Sequence, residues 1–117
     1  MNTTELAQRG YAPTAAPLRS ARKVEYDVIA RVTSRMTAAI RGRDFNKLIH
    51  ALYENRTLWR KLAMDVAHPD NLLPDDLRAR LIYLAEFTEQ HTRKAIKREA
   101  TAAPLVEINT AILRGLK

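Results

Sequence analysis

Apolar residues recur along this chain at spacings of three and four, and no stretch alternates with the period of two that a half-buried strand requires. Val24, Val28, Val32, Met36 and Ile40 form a ladder of four-residue steps. Each step drifts by ~40° around a helix, which predicts a long first helix, from about residue 19, crossing its neighbours obliquely. Gly42 ends it. Phe45, Leu48, Ile49, Leu52, Trp59, Leu62, Ala63 and Val66 then mark one face of a second helix over 44–67. Asp44 is suited to its N-cap, and His68-Pro69-Asp70-Asn71 terminates it.

Pro74, with a preset φ, opens a third helix, and Asp75 and Asp76 behind it place carboxylates at the positive end of the helix dipole. Leu77, Leu81, Leu84, Thr88, His91 and Ala95 define its main face, while Ile82, Tyr83 and Phe87 spread apolar surface round most of its circumference. That breadth predicts that the third helix is the hub. Thr101-Ala102-Ala103-Pro104 breaks the chain again. Leu105, Ile108, Ile112 and Leu116 give a short fourth helix, with Gly115 near its end. Residues 1–18, with Gly10, Pro13 and Pro17, read as a flexible N-terminal arm holding at most a helical turn near Glu5 to Arg9. The fold expected is all-α: a compact single-domain bundle of about four helices over residues 19–117, with no repeat or sustained heptad.

Two polar residues interrupt the stripe of the second helix. Asn55 and Arg56 project within the apolar arc, and a buried amide or guanidinium left unpaired costs a few kcal/mol. Both must find partners. His91 and Asn109 also lie on or beside apolar stripes, so Asn55, Arg56, His91 and Asn109 are read as one internal network fixing helix register, in preference to direct ligand contact. Trp59, among Leu52, Leu62 and Ala63, is read as a core anchor rather than a binding platform. Tyr26, Ile82, Tyr83 and Leu113 fall off the main stripes and form a candidate partner surface wherever they remain exposed.

Composition narrows the function without naming it. The chain has 117 residues, enough for one core, and no cysteine, which excludes disulfides, thiolate metal sites and a cysteine nucleophile. Met1 to Ser20 lack a signal-peptide run and nothing approaches a bilayer-spanning length, so a cytoplasmic protein is expected. A net charge of +7 sets the sign of a partner but not its identity. Arg31, Arg35, Arg41, Arg43 and Lys47 make the first helix and its turn basic; a solvated face is the preferred reading, with phosphate or acidic protein as the alternative.

Chemistry is not written here. His50, His68 and His91 form no paired helical metal motif, and His91 reads as a hydrogen-bonded interior histidine. With three glycines and no phosphate-binding or nucleophile motif, neither enzyme nor cofactor is expected.

Four blocks, in order, carry a resemblance. They are Ala51-Leu52-x-x-Asn55-Arg56-x-Leu58-Trp59, Leu73-Pro74-x-x-Leu77-Arg78-Ala79, Phe87-x-x-x-His91 and Ile108-Asn109-x-x-Ile112-x-x-Gly115-Leu116, with weaker echoes at Tyr11 and in Arg22-Lys23-Val24-Glu25-Tyr26. Over roughly residues 11 to 116 the chain resembles the bacterial flagellar biosynthesis regulatory protein FlaF family. The resemblance implies a non-enzymatic factor that binds flagellin and supports its synthesis and secretion, in the same pathway as the regulator FlbT. An RNA-binding regulator of flagellin message is the alternative, weakly supported by positive charge and disfavoured by the lack of an RNA-recognition sequence.

Overall fold

Four helices follow one another: α1 Ala12–Arg41, α2 Phe45–Ala67, α3 Asp75–Ile96 and α4 Ala103–Leu116. The computed structural model describes the backbone of residues 12–116 and side chains of residues 25–115, with no strand among them. The expected arm over 1–18, its turn near Glu5 to Arg9 and the Tyr11 echo therefore lie largely outside the described residues. The first helix begins at Ala12 rather than near residue 19. Pro13 falls in its first turn, where a missing N–H removes no intrahelical bond.

Of the four-residue ladder in α1, Val32 and Met36 are buried and Val28 half-buried, while Val24 falls outside the described side chains. The buried residues among those described are Ile29, Val32, Thr33, Met36 and Ala39, while Ile40 is 39 % exposed. The drift explains the difference: steps of four walk off the contact face, and the mixed three-and-four spacing from Ile29 to Ala39 stays on it.

The reversal into α2 is also built differently from expectation. Gly42 lies at the end of α1, but Arg43 takes the left-handed backbone conformation, at φ 51°. Its N–H donates to the Ile40 carbonyl at 3.2 Å and the Asp44 N–H to the Ala39 carbonyl at 3.1 Å, the paired bonds of a left-handed C-cap. Asp44 then accepts from the Lys47 N–H at 3.0 Å and caps α2 as expected. The end of α3 repeats the device. Arg98 has φ 61°, with its N–H bonded to Ala95 and that of Glu99 to Lys94. Its guanidinium lies 3.9 Å over the ring of Phe45, the first residue of α2.

At the other end of α2, Arg78 reaches back from α3. Its Nε donates to the Val66 carbonyl at 2.8 Å and its Nη2 to the His68 carbonyl at 3.3 Å. The Val66 carbonyl is a C-terminal one without a helical partner, the C-cap carbonyl of His68 also accepts from the Asn71 N–H at 3.0 Å, and a cation suits that end of the dipole. Asn71 supports the same connection through Asp65 and Leu73. Pro74 precedes the first residue of α3 rather than occupying it.

The hub is α2, and this corrects the assignment to the third helix. α2 packs along both α1 and α3, and α1 also carries α4. α3 leans on α2 and joins the common core of Met36, Ala51, Leu52, Ala102 and Leu105 through Ala95 near its end. Its expected main face is only partly buried: Leu81, Thr88 and Ala95 are buried with Thr92, whereas Leu77 is 38 % exposed. Two of those buried residues are threonines, so apolar breadth alone overstated the helix's share of the core. No helix among the described residues is long and apolar enough to cross a membrane.

Candidate functional site

A polar cluster sits where α1, α2 and α4 meet. Asn55 and Trp59 are one turn apart on α2, and Asn109 comes from the middle of α4. All three are buried, Asn55 and Asn109 completely. Trp59 Nε1 donates to Asn109 Oδ1 at 2.9 Å. Asn109 Nδ2 donates to Asn55 Oδ1 at 2.8 Å and to Thr33 Oγ1 at 3.0 Å. The Thr33 hydroxyl in turn donates a hydrogen bond to the Ile29 carbonyl at 2.7 Å. One amide thus fixes the rotation of three helices, because a turn of any one would strand several buried donors and acceptors. Asn55 Nδ2 is buried with no hydrogen-bond partner.

Arg56 and His91, expected in that network, lie outside it. Arg56 is half-buried, and its guanidinium lies 4.8 Å above the Tyr53 ring. At ~100° per residue it points away from Asn55 toward α3, far enough for a long side chain to leave the core. His91 stacks on Phe87 at 5.2 Å and pairs through Nε2 with the Thr101 carbonyl at 2.7 Å, tying α3 to the turn before α4. It is hydrogen-bonded, but locally.

A second feature lies between α2 and α3. A groove of about 170 Å³ is bordered by Arg56, Trp59 and Ala63 on one helix and by Ile82, Ala85 and Thr88 on the other. The Thr88 hydroxyl is buried and without a partner. Arg60 closes one side, donating through Nε and Nη2 to the two oxygens of Glu89 at 2.9 and 2.6 Å. That bidentate bond holds the Glu89 carboxyl below its ordinary pKa, opposed by burial and aided by the charges of Arg60, Arg56 and Arg93. Glu86 stands on the same rim.

The residues expected at a partner surface differ in exposure. Tyr83 is 66 % exposed, whereas Tyr26, Ile82 and Leu113 are half-buried, and of the four only Ile82 borders the groove. Of the basic set, Arg31, Arg35, Arg41, Arg43 and Lys47 are all exposed, and Arg35 pairs with Glu54 of α2. Sequence reasoning missed Thr33, which sits between Val32 and Met36 on a buried face and could have been found from that spacing. It also missed Arg60 with Glu89 and the cap from Arg78, since pairing across helices depends on register that no local pattern states. No three groups of His, Asp or Glu among the described residues are placed to hold a metal ion.

The fold and its polar groups define a small helical bundle with a buried hydrogen-bond network of Thr33, Asn55, Trp59 and Asn109 and a groove open between α2 and α3. Comparison with known families identifies it further: the flagellar protein FlaF family matches residues 7–116, and the chain belongs to that family. It is a flagellar protein. Neither a curated protein nor a solved structure matches it.

Proposed function

We propose that this chain is a cytoplasmic, non-enzymatic flagellar biosynthesis factor that binds flagellin and supports its synthesis and secretion. Family membership over nearly the whole chain is the observation that carries this reading. The open groove beside α2 supports it physically, since amphipathic helical segments are commonly held by an apolar groove until they assemble. Residues 19–117 form the working unit. Asn55, Trp59 and Asn109 keep its helices in register, and an FlbT-like regulator is a further partner. An effect on flagellin translation then needs no RNA contact by this chain.

Calorimetry with purified monomeric flagellin, full-length and lacking its terminal helical segments, tests the reading. Binding that depends on those segments and changes little with salt is expected, because buried apolar surface is barely screened. Equal binding of both forms removes the covering mechanism. No flagellin binding, beside tight sequence-selective RNA binding that is lost when Arg31 and Arg35 become Gln, replaces the reading with the RNA-binding one.

A further inference from the structure

Two alanines, Ala63 and Ala85, border the groove between α2 and α3, so neither helix fills it from its own wall. At about 170 Å³ it is near the size of cavities that accept a benzene-sized group, for which ~150 Å³ suffices. Its wall is mostly apolar, with the ring of Trp59 and the side chain of Ile82. Thr88 adds a hydroxyl, buried and unpartnered.

The charges around it are asymmetric. Arg60 and Glu89 neutralise each other. Arg56 on α2 and Glu86 on α3 remain, neither with an ion-pair partner among the described residues, one on each side of the opening. Arg56 is already oriented by the Tyr53 ring beneath it. Tyr53 itself is 46 % exposed and so leaves the Arg56 guanidinium at the surface. On α2 the groove runs from Arg56 to Ala63, ~10 Å or about two turns of a facing helix.

We propose that this groove is a docking site for one amphipathic helical segment of a partner protein, which inserts a leucine- or phenylalanine-sized side chain between Ala63 and Ala85, sets a carboxylate against Arg56 and sets a cation against Glu86. The two opposite charges on opposite walls fix the direction of the docked helix, because the reversed segment would meet like charge on both sides. The inference rests on the flagellin-binding reading for its natural partner and adds the surface and the chemistry of recognition.

Two probes separate the claims: monomeric flagellin, and a synthetic amphipathic helical peptide with a leucine face, a glutamate on one flank and a lysine on the other. Each is titrated against wild type, Ala85→Phe, which fills the groove, and Arg56→Glu, with melting temperatures measured alongside. Weakening of both probes by about tenfold or more in either variant is expected, as is recovery when Arg56→Glu meets a peptide with lysine in place of the glutamate. If Ala85→Phe folds poorly, the charge exchange decides alone, since a structural defect would not be rescued by the altered peptide. Flagellin binding wild type and both variants equally would overturn the docking site and leave the function standing. Peptide binding that follows the variants, with no flagellin binding, would overturn the function and leave the site. Failure of both probes on wild type overturns both.

Discussion

The two sides of α2 are held by opposite means. Toward α1 and α4, inside an exposed Arg35–Glu54 pair at the edge, its polar groups exchange buried hydrogen bonds, so that Asn109 alone engages Trp59, Asn55 and Thr33. Toward α3 the helices are joined by an exposed bidentate ion pair, by capping bonds from Arg78 and by a groove that neither wall fills. Interaction strength follows burial in each case. Hydrogen bonds inside the core are costly to break because nothing replaces them, whereas the exposed pair exchanges its partner for water. The first side specifies an arrangement, and the second leaves room for something else.

The sharpest break of that contrast is Asn109→Leu. It strands the Trp59 N–H and leaves Asn55 and Thr33 without their donor, so a loss of about 3 kcal/mol is expected in denaturant titration. Asn55→Leu is expected to cost less, ~1–2 kcal/mol, because it also removes an amide N–H that is already unpartnered. Equal losses would show that the network does not centre on Asn109.

On the other side, Arg78→Ala removes the bonds to the Val66 carbonyl of α2 and to that of its C-cap His68 and is expected to lower stability by about 1–2 kcal/mol. Hydrogen exchange at the end of α2 would rise with it. Thr88→Val reverses the sign. It replaces an unpartnered buried hydroxyl by a methyl group, so thermal melts are expected to show no loss and up to ~1 kcal/mol of gain. A clear loss would mean that the hydroxyl is bonded in solution.

Glu89→Gln is expected to act least, and its effect carries a pH signature. Folding lowers the Glu89 pKa, so the ionised pair contributes stability above the unfolded carboxylate value of ~4.3 and loses it as pH falls through the lowered folded value. The melting temperatures of wild type and variant are therefore expected to differ slightly at neutral pH and converge in acid.

What the sequence revealed follows the same division. Helical periodicity placed all four elements, and the misfit of Asn55 within an apolar stripe located a buried polar group, because both signals are local. Asn109 could be placed beside a stripe, but its partner Thr33 lies 76 residues away and depends on packing. Arg56 and His91 were drawn into the network because spacing gives a direction round the helix and not the reach of a side chain. The groove was invisible for a related reason: it is made by two alanines on different helices, and each is unremarked within its own.

The attachment of α3 has a consequence in time. Because α3 rests mainly on α2 and meets the rest of the bundle near its C-terminal end, it can lift away while Asn109 still locks the other three helices. Such a sub-global opening exposes one face of α2 without unfolding the chain, and its free energy lies below that of global unfolding. The amides of α3 would then exchange as a group ahead of those in α1, α2 and α4. Any segment seated in the groove would slow that breathing, since it bridges α2 and α3 along the interface that opens.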